Sequence, residues 1–193
     1  MKKFEWTWAN GLTLLRLVLV PVIATTFFLD HYVTTFLLFC VAAGSDLIDG
    51  SVARAMGQRS EWGAFIDPIA DKSLMLVTTF CLMWVRVLPD WFFVLVLIKD
   101  ASVLGGLWYL NRRHIKVEME PLWWSKWTTL MLIFTVFLGF IVLSFPSLEF
   151  LRYPVGDFMT GSMFFTSGLV ILTTLKYARR GLEIIADNTP SAK

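Results

Sequence analysis

Four aspartates define the chemistry open to this chain. They lie in one segment, 45–72, SDLIDGSVARAMGQRSEWGAFIDPIADK, as Asp46, Asp49, Asp67 and Asp71. The first pair is three residues apart and the second four. On helices, either spacing puts both carboxylates on one face about one turn apart. A short linker between two such helices would form an antiparallel hairpin and bring the four acids to one depth. Four like charges in a partly dehydrated site repel, and a single acid costs about 2.5–3.5 kcal/mol at the centre of a membrane helix. Bound cations would remove that cost. Hard carboxylate oxygens suit Mg²⁺, Mn²⁺ or Ca²⁺, and two divalent ions would balance four charges. Paired metals also stabilise the attacking and leaving oxygens of phosphoryl transfer. Gly50, Ala53, Gly63 and Ala64 on the same hairpin leave room for a flat ligand to approach the backbone. In the bland alternative, the acids cap helix ends and pair with Arg54, Arg59 and Lys72. That explains each acid singly more easily than all four together.

The elements that must hold these acids are membrane helices. The chain has 193 residues, 56% hydrophobic, with a mean hydropathy of +0.66, too apolar for a soluble globule of this size. A hydrocarbon core about 30 Å thick needs roughly 20 apolar residues per helical crossing. Six runs approach or exceed that length: Leu12–Leu29, Tyr32–Met56, Ala64–Val87, Trp91–Leu110, Leu122–Phe145 and Pro154–Tyr177. Pro21 is expected to kink the first. Eight of nine tryptophans fall near the ends of these runs, where amphipathic rings sit at headgroup level. Lys2, Lys3, Arg54, Arg59, Arg112, Arg113, Lys116, Lys176, Arg179 and Arg180 mark one side, and only Arg86 and Arg152 the other. The positive-inside rule then puts both termini and the 54–63 loop in the cytoplasm. The expected fold is all-α, a single polytopic domain over 1–193 with six transmembrane helices. No cleavage site follows the first run at signal-peptide distance, so it is expected to be retained. The net charge of +2 comes without a basic block of the kind that tracks nucleic acid. Cys40 and Cys81 lie inside apolar runs and read as buried thiols with no disulfide.

The segment reads D-x2-D-G-x2-A-R-x8-G-x3-D-x3-D through Asp46, Asp49, Gly50, Ala53, Arg54, Gly63, Asp67 and Asp71. It resembles the signature of the CDP-alcohol phosphatidyltransferases, and the six-helix plan agrees over nearly the whole chain. The resemblance implies that Asp46, Asp49 and Asp67 ligate a metal pair, Mg²⁺ or Mn²⁺, that holds the CDP diphosphate. Asp71 would be the general base and would also touch metal. Asp46, Gly50, Ala53 and Arg54 would contact the nucleotide, with Gly63 permitting close approach. It also implies CDP-diacylglycerol as donor, an alcohol acceptor, contact with membrane lipids, and a homodimer, with the site at the cytoplasmic face of a bacterial membrane.

The acceptor is harder to read. Asn10-Gly11-Leu12-Thr13-Leu14-Leu15-Arg16 followed by Pro21 looks like the first-helix pattern of phosphatidylglycerophosphate synthases and of CDP-diacylglycerol-dependent cardiolipin synthases. Arg16 would then lie near the polar substrates, against a plain snorkelling role. Lys99-Asp100 stands where those relatives usually carry arginine and an acid. An ammonium cannot reproduce a guanidinium fork, and a buried ion pair is the competing reading. Lys126, in Ser125-Lys126-Trp127-Thr128-Thr129, is a candidate for an acceptor phosphate, against interfacial anchoring. Glycerol 3-phosphate, a dianion, would need a basic pocket from Arg16, Lys99, Lys126 and Arg112 or Arg113. Phosphatidylglycerol, the cardiolipin-synthase acceptor, would need a second lipid groove. Glycerol 3-phosphate is preferred on the compact length and short loops. Two other classes remain open. A cation transporter would not need Gly50, Ala53 and Arg54, and a non-catalytic scaffold leaves the carboxylates unexplained.

Overall fold

A computed structural model describes residues 8–56, 61–112, 123–145 and 149–187, with side chains at 8–10, 12, 46–56, 61–68, 107–111, 149–154 and 182–187 outside the description. The described residues form six helices and no strand: α1 Trp8–Phe28, α2 Tyr32–Met56, α3 Glu61–Trp84, α4 Asp90–Arg112, α5 Trp123–Ser144 and α6 Glu149–Asp187. The all-helical expectation holds, and most boundaries fall within a few residues of those read from hydropathy.

Helix α6 differs. It has 39 residues, about 58 Å at 1.5 Å per residue, well beyond a core about 30 Å thick. Hydropathy falls after Tyr177, but Ala178, Arg179, Arg180, Leu182 and Glu183 are good helix formers, so the helix continues where the apolar run stops. Trp123–Ser144 and Val155–Gly181 are long and apolar enough to cross a membrane, while Thr13–Phe28 and Tyr32–Ser45 are shorter apolar helices. The charged residues within α2, α3 and α4 interrupt what would otherwise be comparable runs.

Each helix buries a stripe at three- and four-residue spacing, the pattern of a packed helical face. On α1 it runs Thr13, Arg16, Ile23 and Phe27; on α2, Thr35, Phe39, Ala42 and Ser45; on α4 it begins with Phe92 and Val96. Helix α1 packs on both α2 and α3, α5 touches α2, α3 and α6, and α4 rests on α3 and α6. Helix α1 thus contacts both aspartate-bearing helices, and the hairpin expected to join them falls largely outside the described residues. Outward faces carry Leu14, Val18, Leu37, Val41, Phe158, Phe165 and Leu175, all exposed. A surface this apolar is the reverse of a soluble bundle's. Trp84, Trp91, Trp123, Trp124 and Trp127 are exposed too, as interfacial rings should be. Cys81 is buried, Cys40 partly so, and both are free thiols.

Helices α1 and α3 end alike. Asp30 (φ 59°) and Arg86 (φ 62°) adopt the left-handed conformation. His31 N–H donates to Thr26 O at 3.0 Å and Val87 N–H to Leu82 O at 2.9 Å. These are the long closing bonds of a Schellman cap, which satisfies carbonyls that a helix end leaves open.

Candidate active site

The helical backbone bears out the spacing argument for the acids. Asp46 and Asp49 stand in α2, and Asp67 and Asp71 in α3. The side chains of Asp46, Asp49, Gly50, Ala53, Arg54, Gly63 and Asp67 lie outside the described residues, as does Arg113. Among the described residues no group of three metal-ligating side chains converges. Of the four aspartates, Asp71 is the one whose side chain is described.

It has a partner from α1. Arg16 Nη1 donates to Asp71 Oδ1, across 55 positions of sequence. The arginine side chain is 1% exposed and the aspartate's 42%. Arg16 sits on the buried stripe of α1 and is among the largest fully buried side chains of the molecule. A desolvated guanidinium without an anion costs several kcal/mol, so the sequence pattern that buries Arg16 requires a carboxylate opposite it, and α3 supplies one.

The other side of Asp71 faces a cavity of about 440 Å³ between α3, α4, α5 and α6. Its charged lining is Asp71 and Lys72 from α3 and Lys99 and Asp100 from α4. Ser125, Thr129, Thr173 and Tyr177 add hydroxyls, and Met75, Val103 and Leu132 form an apolar wall. Lys99 Nζ lies 3.3 Å from Asp100 Oδ1, with 12% and 14% of the two side chains exposed. These residues continue the α4 stripe begun by Phe92 and Val96. Charge at positions that elsewhere hold core residues must be met by partners or by a ligand.

Hydroxyls fix the far wall. Thr128 Oγ1 and Thr173 Oγ1 lie 3.0 Å apart, buried, and Thr135 Oγ1 reaches Ser162 Oγ at 3.1 Å and Thr166 Oγ1 at 3.2 Å. Such bonds tie α5 to α6 where water does not compete.

The five basic residues proposed for the acceptor separate. Lys99 lines the cavity. Arg16 is set against Asp71 and is not part of the lining. Lys126 and Arg112 are exposed and stand outside the lining, and Arg113 lies outside the described residues. Sequence reasoning did not single out Lys72, Thr173 or Tyr177 as site residues. One signal was available: Thr173 and Tyr177 are four apart on α6, as Ser125 and Thr129 are on α5, so each pair shares a helix face.

The donor set on α2 and α3, carboxylates at one-turn spacing, fits a hard divalent cation by chemistry and by helical register. Asp46, Asp49 and Asp67 would hold it, beside Asp71.

The chain is 30% identical over 181 residues to the CDP-diacylglycerol–glycerol-3-phosphate 3-phosphatidyltransferase of Aquifex aeolicus, covering 91% of this chain and 96% of that one. It is 29% identical over 184 residues to a probable cardiolipin synthase (CMP-forming) of Drosophila melanogaster, covering 87% of this chain and 55% of that one. A probable phosphatidylglycerophosphate synthase of Mycobacterium tuberculosis is 42% identical over 101 residues, 49% of this chain and 48% of that one. The chain thus spans about half the length of the fly and mycobacterial proteins. The model of the CDP-alcohol phosphatidyltransferase family matches residues 6–174, from the start of α1 to the last turns lining the cavity, and the chain belongs to that family.

Proposed function

We propose that this protein transfers a phosphatidyl group from CDP-diacylglycerol to glycerol 3-phosphate and releases CMP. The observation that carries the reading is the cavity, which sets the carboxylate of Asp71 beside two ammonium groups and a wall of hydroxyls. A phosphorylated polyol needs this combination: cations for its phosphate, hydroxyl partners for its own, and a base at the hydroxyl that reacts.

In this reading Lys72 and Lys99 bind the acceptor phosphate, and Asp100 holds Lys99 in place. Ser125, Thr129 and Tyr177 orient the glycerol. Asp71 takes the proton of the attacking hydroxyl, whose oxygen bonds to the lipid-linked phosphorus. The phosphoanhydride bond to CMP breaks, and CMP leaves with the electron pair. Asp46, Asp49 and Asp67 would hold divalent metal, Mg²⁺ or Mn²⁺, which supplies charge neutralisation at the diphosphate. Gly50, Ala53, Arg54 and Gly63 would receive the nucleotide.

We also place all six helices in the bilayer as spans, with both termini and the aspartates at the cytoplasmic side and the protein as a homodimer. The exposed apolar faces and the distribution of basic residues support the insertion and its direction. Labelling single cysteines introduced at Lys3 and Asp30 from either side of sealed vesicles tests the direction. Modification of position 30 from the cytoplasmic side would reverse it.

A second reading has a specific basis. The apolar wall of Met75, Val103 and Leu132 could admit part of a second lipid, making phosphatidylglycerol the acceptor, and the fly relative is named as a probable cardiolipin synthase. Purified protein with CDP-diacylglycerol and Mg²⁺ is offered either acceptor while CMP is followed. Glycerol 3-phosphate should yield CMP and phosphatidylglycerol should not, and Asp71→Asn should abolish release in folded protein. Turnover with phosphatidylglycerol alone would transfer the assignment to the second reading. Release unchanged in Asp71→Asn would remove the assigned base.

A further inference from the structure

We infer that Arg16 is a positioning residue that acts through Asp71, and not a ligand of the acceptor. The inference rests on the reading of Asp71 as the base. Three observations carry it. First, Arg16 is fully buried on the stripe of α1 that also holds Thr13, Ile23 and Phe27, so its backbone is fixed by packing along the whole helix. Second, its guanidinium donates to Asp71 while only the aspartate reaches the cavity. The pair has a closed end inside the bundle and an open end where substrate would sit. Third, α1 packs against both α2 and α3. A bond from α1 to Asp71 therefore sets the register of one aspartate helix relative to the element that carries the other.

The consequence is geometric. A general base must come within hydrogen-bond reach of the proton it takes. Asp71 has side-chain freedom that packing alone does not remove, since almost half of its surface is open. One carboxylate oxygen held by a buried guanidinium narrows the rotamers open to the group. A misplacement of about 1 Å at such a centre can cost on the order of 10²-fold in rate. Lysine would not substitute fully, because its single ammonium lacks the planar fork.

The test uses Arg16→Met and Arg16→Lys in the full-length purified protein, with steady-state kinetics in glycerol 3-phosphate and in CDP-diacylglycerol, acceptor binding by calorimetry, and thermal unfolding. Arg16→Met should lower kcat on the order of 10²-fold while acceptor KM and Kd stay within about twofold, and Arg16→Lys should recover only part of kcat. A tenfold or greater rise in acceptor KM and Kd at unchanged kcat would make Arg16 an acceptor ligand and overturn the inference. So would kcat and KM both at wild-type values in either variant. If Arg16→Met does not fold, Arg16→Lys carries the same kinetic test. A readout independent of turnover is thermal coupling with Asp71→Asn: the double variant should lose less stability than the two single losses added, and strict additivity would contradict the pairing. Absence of CMP release by the wild-type protein would be a failure of the proposed function, distinguishable from each of these.

Discussion

Where α1 turns into α2 and α3 into α4, the buried positions hold Phe27, Phe39, Leu82, Leu88, Phe92 and Phe140. Phe36 and Phe39 each place a ring 5.3 Å from a phenylalanine of α5, Phe137 and Phe140 respectively. Ser144 Oγ closes the seam by donating to the Tyr32 carbonyl at 3.1 Å. About three helical turns away, the same buried faces carry Arg16, Lys99 and Asp100, and the space between helices opens into the cavity. One end fills its volume with rings and makes short turns. The other keeps volume for a ligand and places charges at its edge. Interior charge is tolerated there because the opposite end supplies the packing that holds the helices in register.

Phe140→Ala should produce the largest loss of stability. Removing a fully buried ring typically costs about 3–5 kcal/mol, and Phe140 also contacts Phe36 at 6.4 Å. Unfolding followed in detergent should show the loss, whereas acceptor KM measured on the folded fraction should stay near wild type. A shift in KM would mean that the two ends are mechanically coupled, which would break the comparison.

The complementary change is Lys99→Gln. Losing a charge-assisted contact to the acceptor phosphate should remove about 1.5–3 kcal/mol of binding, a rise in acceptor KM of roughly 10- to 100-fold. The melting temperature should fall little, since Lys99 keeps no part of the ring-packed end together. If stability falls sharply while KM holds, the Lys99–Asp100 pair is a structural brace and the cavity is read wrongly.

Gly139→Ala probes the closest approach at the packed end. A Cβ there would lie 2.8 Å from Leu82 Cδ1 and 3.5 Å from Val87 Cγ1. Leu82 is itself fully buried, so its side chain has little room to withdraw. Overpacking of this kind costs about 1–3 kcal/mol, and the lower part of that range fits because the clashing atom is a methyl terminus. Thermal unfolding measures it. A neutral result would show that the packed end retains slack.

The aspartates and their helices were legible because spacing on a helix is a local property: three and four residues separate each pair, and the apolar runs on either side set the elements. The cavity was half legible. Asp71 and Lys99 were read from motifs, but Thr173 and Tyr177 come from α6, more than a hundred residues after the aspartates, and only tertiary packing brings them in. The Arg16–Asp71 pair spans 55 positions. The sequence pattern placed Arg16 near polar substrates but had no means of separating a guanidinium that touches substrate from one that touches Asp71. The far end of α6 was missed for another reason. Hydropathy marks where a bilayer crossing would stop, and helix propensity beyond that point is a separate quantity.

The smallest effect concerns a cap. Arg86 ends α3 with φ at 62°, a conformation that costs a residue with a Cβ roughly 1–2 kcal/mol. Glycine would remove that strain but brings about 0.5–1 kcal/mol of extra backbone entropy in the unfolded chain. Arg86 also pairs with Asp90, Nη1 to Oδ1 at 3.0 Å and to Oδ2 at 2.8 Å. Both side chains are mostly exposed, and an ion pair so open to solvent contributes little. The strain term is the larger, so Arg86→Gly should stabilise the protein slightly, by about 0.5 kcal/mol. Unfolding midpoints compared with Asp90→Ala, which breaks the pair while keeping the strained residue, separate the two contributions. A loss of stability in both variants would show that the Arg86–Asp90 pair, and not the bonds from Val87 and Arg86 back to α3, holds the turn at the packed end.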